Sequence, residues 1–548
     1  MSDCPVISTA YGKVKGKTCL KAKAKNAKQV FRYSKIPFGK PPIGELRFEP
    51  PQKCESWEGV RDATKPSPHP EQDENMLEPL VKYFPAIQEF KEEETVEEDC
   101  LYLDVYTTNP NNKAKMPVMF FIYGGGLQSG SSAFYSGQVL CGLQDVVLVI
   151  PNYRVNIFGF LATGKNTAYP GNMGLLDQVL ALEWTRDNIV NFGGDPDNVT
   201  IFGESAGAVS VSLHMLSPLS RGLFHKAIQN SGTSTFPGMV SSDYSHVFKQ
   251  LADAFDMPDA DVDNLIQKLK SMPANELRST VGELAKKFVS FFATVDGRFL
   301  PDLPENLLKS NQLAPVPCII GCNNSEGQGM LALNNPPSFF EGFSEEEFRN
   351  TMKGIIGFSF PQKIEQADKI IDTLKSFYNG KFLVNDNMRW SKMFGEINGD
   401  IWFLVPSIEN ALIHSATGKP TYFYYMTQQP KFNHDDKYAI KMKKKMEHCE
   451  CDHGDDLMFT FGLPFMNGFM LNEFRMSKEE EELSKSWMTY ITNFAKSGNP
   501  NEGEKVDYTW PQYDSESKRH LTVQMPIGEG SRLHEDRYKL WQETIKSI

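Results

Sequence analysis

Short apolar runs alternate with helical patterns through most of this chain. The apolar runs have strand length and cover residues 101–106, 118–123, 146–153, 198–202, 227–230, 318–321 and 421–425. Helical spacing fills much of the remainder, at 174–191, 206–216, 240–290, 330–400 and 487–495. Nearly continuous apolar strands that alternate with helices predict a parallel sheet covered by helices on both faces.

Residues 6–99 show a different pattern of apolar and polar positions. Residues 6–35 contain alternating segments that predict an antiparallel pair of strands. Residues 70–99 are acidic and predict helical or irregular structure. We find no linker and no internal repeat, so residues 1–548 are expected to form a single domain.

Charge and composition limit the classes of partner and the location that we expect for the protein. The net charge of −12 argues against nucleic acid and against an anionic membrane as partners, and it also serves solubility. No run of 18 apolar residues exists, so no transmembrane segment is expected. If Met1 is the natural start, the lack of a signal sequence predicts a cytoplasmic protein. A processed form would instead be secreted or lie in the endoplasmic reticulum lumen. The nine cysteines are odd in number and scattered, which favours reduced thiols.

The strongest chemical signal lies at residues 203–207, which read G-x-S-x-G around Ser205. A predicted strand precedes this stretch and a predicted helix follows it. A strand, a tight turn that carries serine, and a helix are the context of a nucleophile elbow. The pattern therefore predicts Ser205 as a catalytic nucleophile.

A serine nucleophile needs a base, an acid and donors for an oxyanion. His453 is the best placed histidine, because it lies in a loop before a helix-like stretch and is followed by glycine. Glu326 follows the 318–321 strand on a glycine-bearing loop, although chemistry alone leaves other carboxylates open. Three glycines, Gly124 to Gly126, directly follow another strand and leave backbone N–H groups accessible.

Several longer stretches resemble the type-B carboxylesterase and cholinesterase family. They are FGGDPDNVTIFGESAG at 192–207, EDCLYLDV at 98–105, WEGVRDAT at 57–64, PGNMGLLDQ at 170–178 and FGLP at 461–464. The C-terminal part is most similar to animal carboxylesterases. The resemblance implies an α/β-hydrolase fold, with a central, mostly parallel twisted sheet, helices on both faces and large helical insertions.

The resemblance also implies roles for individual residues. They are the catalytic residues Ser205, Glu326 and His453, the oxyanion donors Gly125, Gly126 and Ala206, and the neighbouring supports Glu204 and Ser231. The implied function is a serine carboxylesterase that hydrolyses small-molecule esters through an acyl-enzyme at Ser205, with no cofactor.

Some features of the sequence differ from the family pattern, and three phenylalanines have two possible roles. Cys100 is kept, but the cysteine that pairs with it in secreted members is missing, which supports a reducing compartment. Residues 71–99 lack the tryptophan with which cholinesterases bind a quaternary ammonium, so acetylcholine is not the expected substrate. Phe288, Phe291 and Phe292 either line an acyl pocket or belong to the core.

Two alternative interpretations of the function remain. A lipase or an acyl-CoA thioesterase would use the same three catalytic residues on longer acyl chains. A non-catalytic binding or adhesion protein would share the fold without turnover. Four possible metal ligands lie close together in the chain: His448, Cys449, Cys451 and His453. Because His453 is the expected catalytic histidine, no metal site is expected there.

Overall fold

A computed structural model describes residues 4–73, 95–164, 167–243, 245–285, 290–329, 338–382, 386–430, 449–466 and 477–547. Its strands are β1 Val6–Ser8, β2 Lys13–Lys15, β3 Lys17–Thr18, β4 Phe31–Pro37, β5 Val60–Asp62, β6 His69–Pro70, β7 Val96–Glu97, β8 Tyr102–Thr107, β9 Met116–Ile122, β10 Val147–Pro151, β11 Gly194–Glu204, β12 Lys226–Asn230, β13 Val240–Ser241, β14 Ala293–Thr294, β15 Cys318–Asn323, β16 Thr421–Met426, β17 Arg519–Val523 and β18 Gly528–Ser531. Its α-helices are α1 Gln138–Gln144, α2 Asn156–Phe160, α3 Met173–Asn188, α4 Ala206–Leu216, α5 Ser245–Ala254, α6 Val262–Ser271, α7 Ala274–Ala285, α8 Pro304–Lys309, α9 Ser338–Glu341, α10 Glu345–Ser359, α11 Ala367–Asn379, α12 Arg389–Gly399, α13 Val405–Ser415, α14 Asp456–Thr460, α15 Lys478–Ser497 and α16 Glu535–Ser547.

One large sheet organises the molecule. Its 11 strands lie in the order β18-β17-β16-β15-β12-β11-β9-β10-β8-β4-β3. The strands from β17 to β10 in this order pair in parallel. Antiparallel pairs add β18 at one end and β8, β4 and β3 at the other. The predicted α/β class with a mostly parallel sheet is confirmed.

The apolar strands of the sequence form the middle of this sheet. Every residue of β8, β10 and β12 is buried. Helix α4 packs against β9, β11 and β12, α15 packs against β9 and β11, and α13 packs against β15 and β16. Because helices cover the parallel strands, both sides of each strand need apolar residues, and this explains the continuous runs.

A separate helical region follows β15. Helices α10, α11 and α12 pack on one another around a second apolar core, which includes Phe348, Ile370 and Phe394. Trp541 of the C-terminal helix α16 joins this core. A single π-helical turn, Asp400–Leu404, links α12 to α13. The predicted helical insertion is therefore confirmed.

The N-terminal region differs in detail from its prediction. Between residues 13 and 18 the chain forms two short strands, β2 and β3, on either side of Gly16, where a side chain would lie 2.0 Å from Arg32 O. As a result β1 pairs with β2, whereas β3 pairs with β4. Within the acidic stretch 70–99, β6 and β7 form an unpredicted parallel pair, and residues 74–94 lie outside the described residues.

Two further predictions concern membranes and thiols. No helix within the described ranges has both the length and the apolar content to cross a bilayer. All nine cysteines have buried side chains, and none of them forms a disulfide with another. The cytoplasmic location and the single domain over 1–548 stay predictions.

A buried ion pair joins α3 to the segment that follows β10. The guanidinium of Arg154 donates to both carboxylate oxygens of Asp177 at 2.8 and 2.9 Å, and the Arg154 backbone N–H donates at 3.0 Å. Both side chains are almost fully buried. Because the charges are paired and well hydrogen-bonded, removal of one partner leaves an uncompensated buried charge.

We expect Asp177→Asn to lower the free energy of unfolding by about 3–5 kcal/mol, since Arg154 would stay buried without its counter-charge. The measurement is urea denaturation followed by intrinsic fluorescence. Asp372→Asn is the control, because it breaks the exposed pair between Asp372 and Arg349 and should cost much less. Equal losses in the two variants would contradict this account of the buried pair.

Candidate active site

Ser205 occupies a one-residue turn between β11 and α4. Its backbone has φ +58° and ψ −128°, a conformation that costs energy for any residue with a side chain. The Ser205 N–H donates to Asn230 O at 2.9 Å, which ties the turn to the end of β12. The structure therefore holds the serine in the strained geometry that the sequence pattern predicts.

Close backbone contacts explain the glycines around Ser205. A side chain at Gly207 would lie 2.0 Å from Ile122 O at the end of β9. One at Gly203 would lie 2.6 Å from the same oxygen, and one at Gly232 would lie 2.3 Å from Ser205 O. Only glycine fits at these positions, because each contact is with backbone that cannot move aside.

The glycine run after β9 faces the same turn. Gly125 and Gly126 have φ values of +109° and +64°, which favour glycine. Within the described part of the chain, the N–H groups of Gly125, Gly126 and Ala206 donate no hydrogen bond. Ala206 is also the first residue of α4, where the helix dipole favours negative charge. These three groups are thus available to an oxyanion.

Glu326 is buried just beyond β15 and accepts three hydrogen bonds. Its Oε1 accepts from Asn323 N at 2.6 Å and from Ser231 Oγ at 2.5 Å. Its Oε2 accepts from His453 Nδ1 at 2.6 Å. These bonds fix the carboxylate and leave one oxygen for the histidine, which is the arrangement of an acid that orients a base.

The loops that carry Glu326 and His453 are hydrogen-bonded to each other. Ser325 N donates to Cys451 O at 3.0 Å, and Cys451 N donates to Asn324 Oδ1 at 3.0 Å. Asn323 Nδ2 also donates to Asp452 O at 2.8 Å. Two segments that are far apart in sequence are thereby held in one register.

The turn after His453 relies on two local features. Gly454 has φ +80°, a left-handed conformation that a glycine adopts without strain. The carboxylate of Asp455 accepts from Asp452 N at 2.8 Å and so caps the turn. Asp455, another acidic residue near the histidine, thus serves the loop itself.

The other edge of the imidazole faces the nucleophile turn. His453 Nε2 lies 3.1 Å from Glu204 Oε1, and Glu204 directly precedes Ser205. The ring of Phe403, from the π-helical turn, packs on the imidazole with centroids 4.6 Å apart. His453 therefore lies between Glu326 and the residue that directly precedes Ser205. The contact with Phe403 was not predicted. An aromatic residue in an apolar helical segment, as Phe403 is beside Trp402, gives no signal for such a contact.

Two carboxylates set the protonation of His453. Burial alone lowers the pKa of the imidazolium, because the charged form loses hydration. Glu204 and Glu326 outweigh burial and raise the pKa of His453 to about 9. The structure thus favours an imidazolium held between two carboxylates near neutral pH, and only the deprotonated form can act as a base.

Helix α12 supports the Glu326 loop through its backbone. A side chain at Gly327 would lie 2.2 Å from Gly395 O and 2.7 Å from Gly399 N. The loop therefore rests directly on a glycine-lined face of the helix. Sequence reasoning missed this support, although the spacing of Gly395 and Gly399, about one helical turn, is a signal for close packing.

The remaining predicted residues have the following places. Phe291 is buried in the main core, Phe292 packs against Phe358 at 5.5 Å, and Phe288 lies outside the described residues. His448 of the possible metal cluster also lies outside them. Among the described side chains, no group of three or more His, Cys, Asp or Glu could hold a metal ion.

The chain is similar to known proteins over nearly its whole length. Residues 3–541 match the model of the carboxylesterase family. The medium-chain fatty acyl-CoA hydrolase precursor of Anas platyrhynchos is 36% identical, over 99% of this chain and 93% of that protein. The liver carboxylesterase of Sus scrofa is 35% identical, over 99% and 93%. The cocaine esterase of Homo sapiens is 34% identical, over 99% and 92%.

The protonation of His453 predicts the pH dependence of activity. The kcat/KM for a neutral ester should reach half its maximum above pH 6.5, near pH 9, since the imidazole must lose its proton to act. Glu204→Gln removes one stabilising charge and should move this midpoint down by about one unit or more. Glu276→Gln, at an exposed position, is the control. A midpoint that Glu204→Gln leaves unchanged would refute the coupling.

The contact between the Glu326 loop and α12 predicts a second effect. Gly327→Ala should displace the carboxylate and lower kcat by about a hundredfold, with a smaller effect on KM. Gly354→Ala is a matched control, because that helical glycine has open space around it. The control should keep full activity and gain about 1 kcal/mol of stability from helix propensity. Full activity of Gly327→Ala would show that the loop tolerates the displacement.

Proposed function

Since the chain belongs to the carboxylesterase family and is a carboxylic ester hydrolase, we propose that Ser205, His453 and Glu326 carry out the reaction. Deprotonated His453 accepts the Ser205 proton at Nε2 as Oγ attacks the ester carbonyl carbon. Its Nδ1–H stays hydrogen-bonded to Glu326, which stabilises the imidazolium that forms.

The attack places negative charge on the former carbonyl oxygen. We propose that the N–H groups of Gly125, Gly126 and Ala206 bind this oxyanion. Preorganised donors act strongly here because they need no reorganisation as the charge develops. The dipole of α4 adds to their effect, since the helix begins at Ala206.

Collapse of the tetrahedral intermediate breaks the bond to the alcohol. The imidazolium of His453 gives its proton to the leaving oxygen, and an ester between the acyl group and Ser205 remains. Water then attacks this ester, with His453 again as the base, and the acid leaves. No redox change occurs, and the net reaction consumes one water molecule.

One observation carries this assignment. The 2.6 Å hydrogen bond between Glu326 and His453 lies beside the strained turn that presents Ser205. The second oxygen of Glu326 is occupied by Ser231 and by Asn323 N, so the carboxylate is fixed for this single task. Glu204 and Ser231 are thus proposed as supports of the base and the acid.

The proposed substrates are small esters of neutral alcohols. The relatives described above are named for the hydrolysis of carboxylic esters, cocaine and acyl-CoA. Residues 71–99 of this chain contain no tryptophan that could bind a quaternary ammonium. We therefore place neutral esters ahead of choline esters.

The assignment predicts the behaviour of Ser205→Ala and Glu326→Gln. Ser205→Ala should lower kcat by about 10⁴ to 10⁶ and abolish covalent labelling by a fluorophosphonate, because the three residues act as a unit. Glu326→Gln should lower kcat by about 10³ to 10⁴. Turnover of a p-nitrophenyl ester and mass spectrometry of the labelled peptide measure both.

Ser212→Ala is the matched control, because Ser212 is a buried serine of the same helix α4. It should keep both turnover and labelling. A fluorophosphonate adduct on another residue, or turnover by Ser205→Ala near that of the wild type, would refute the nucleophile.

A further inference from the structure

The segment after β10 lies beside the glycine loop, residues 124–130, which follows β9. The parallel ladder between the two strands ends at the pair of Phe120 and Val149. Beyond that pair, two tyrosines connect the strands: Tyr123, which directly precedes the glycine loop, and Tyr153. Both side chains are fully buried. The tyrosines therefore join β9 and β10 at the edge of the sheet where the active site lies.

Three hydrogen bonds and one ring contact hold Tyr123 and Tyr153 together. The Tyr153 hydroxyl donates to Tyr123 O at 2.8 Å. The Tyr123 hydroxyl donates to Tyr153 O at 3.2 Å and accepts from Tyr153 N at 3.1 Å. The two rings are stacked, with centroids 4.4 Å apart and an angle of 18° between their planes. Burial raises the pKa of both phenols, so each keeps the proton that it donates.

The glycine loop packs on the Tyr123 ring. A side chain at Gly130 would lie 2.5 Å from this ring and 2.7 Å from Gly124 O. Both backbone groups of Gly130 are held by Gln72: the N–H donates to Gln72 Oε1 and the carbonyl accepts from Gln72 Nε2, each at 2.8 Å. The loop is thus fixed at its end by Gln72 and at its start by Tyr153.

The hydrogen bond to Tyr123 O affects the proposed oxyanion donors through the peptide planes. In a trans peptide the carbonyl and the following N–H point in opposite directions. A fixed Tyr123 O therefore fixes the Gly124 N–H and the plane from which Gly125 continues. Gly125 O in turn accepts from the N–H groups of residues 128–129 at 3.0 and 3.1 Å, so the Gly126 N–H points away from those groups.

The glycine loop also lies directly against the proposed nucleophile. A side chain at Gly124 would lie 2.8 Å from Ser205 Cβ and 2.7 Å from Glu204 O. A shift of Gly124 would therefore change the distance between the oxyanion donors and Ser205. Catalysis is sensitive to such shifts, since a displacement of about 1 Å can cost about a hundredfold in rate.

We propose that Tyr153 is a positioning residue of the glycine loop: by holding Tyr123 O, its hydroxyl sets where the N–H groups of Gly125 and Gly126 lie relative to Ser205. The proposal rests on the proposed function, which takes these groups as oxyanion donors. Because Tyr153 is fully buried, it acts through the loop and not by contact with the substrate. The donors act most strongly as charge develops on the oxyanion, so the role of Tyr153 belongs to kcat more than to KM.

Tyr153→Phe tests this role, because it removes the hydroxyl and keeps the ring. We expect kcat for a p-nitrophenyl ester to fall about tenfold to a hundredfold, with a change in KM of about threefold or less. A trifluoromethyl ketone forms a tetrahedral adduct on a serine nucleophile, with an oxyanion where the carbonyl oxygen was. Its Ki should rise by about the factor by which kcat/KM falls, because both quantities depend on the stabilised oxyanion.

Tyr490→Phe is the matched control. The Tyr490 hydroxyl donates to Tyr508 O at 2.6 Å and accepts from Tyr508 N at 3.1 Å, so a buried tyrosine of α15 makes the same kinds of hydrogen bond. Both variants should lower Tm by a few degrees, since each leaves a backbone carbonyl without its donor. Only Tyr153→Phe should change kcat and the Ki of the ketone.

Two further variants separate the hydrogen bond from packing. Tyr153→4-methylphenylalanine keeps about the volume of tyrosine without a donor, and it should lose as much kcat as Tyr153→Phe. Tyr153→4-aminophenylalanine replaces the hydroxyl with an amino group that can donate to Tyr123 O. It should return kcat and Ki to within about threefold of the wild type.

Three outcomes would overturn the role of Tyr153. Loss of Tm with unchanged kcat and Ki would show that the tyrosine pair serves stability alone. A raised KM with unchanged kcat would place Tyr153 in substrate binding. Equal activities of the 4-methyl and 4-amino variants would remove the hydrogen bond from the account. Failure of the proposed function is distinct: the wild type would then neither turn over the ester nor form a ketone adduct at Ser205.

Discussion

The active site depends on one steric constraint: the Ser205 turn is pressed against the ends of β9 and β12. There is no room for a side chain at Gly207 or Gly232, since backbone atoms lie within 2.0 and 2.3 Å of such a position. This contact fixes the strained serine in register with its neighbours. Because parallel strands end at the same edge of a sheet, the loop after β9, the turn after β11, the residue after β12 and the loop after β15 converge there. These segments carry the proposed oxyanion donors, the proposed nucleophile Ser205, Ser231 and Glu326.

The two carboxylates beside His453 have two opposing effects on its action as a base. His453 lies between Glu204 and Glu326, and both carboxylates favour the imidazolium. The same charges that stabilise the imidazolium after proton transfer also hold it in the resting protein. A site with Glu326 alone would be a readier base at neutral pH but a poorer stabiliser of the charge that forms during attack. Glu204 directly precedes Ser205, so the turn that carries the proposed nucleophile also carries one of the two carboxylates that favour the imidazolium.

The sequence predicted the centre of the fold well, because long apolar strands and the strand–serine–helix pattern are local signals. It predicted Ser205 from local chemistry, but Glu326 became specific only through the family resemblance. The physical reason is that its identity depends on contacts with Ser231, Asn323 and His453, which adjacent sequence does not encode. Strands of two or three residues, such as β3 and β6, carry too little periodicity to be recognised. Close backbone contacts, such as that of Gly327 with α12, are indicated in the sequence only by the spacing of glycines.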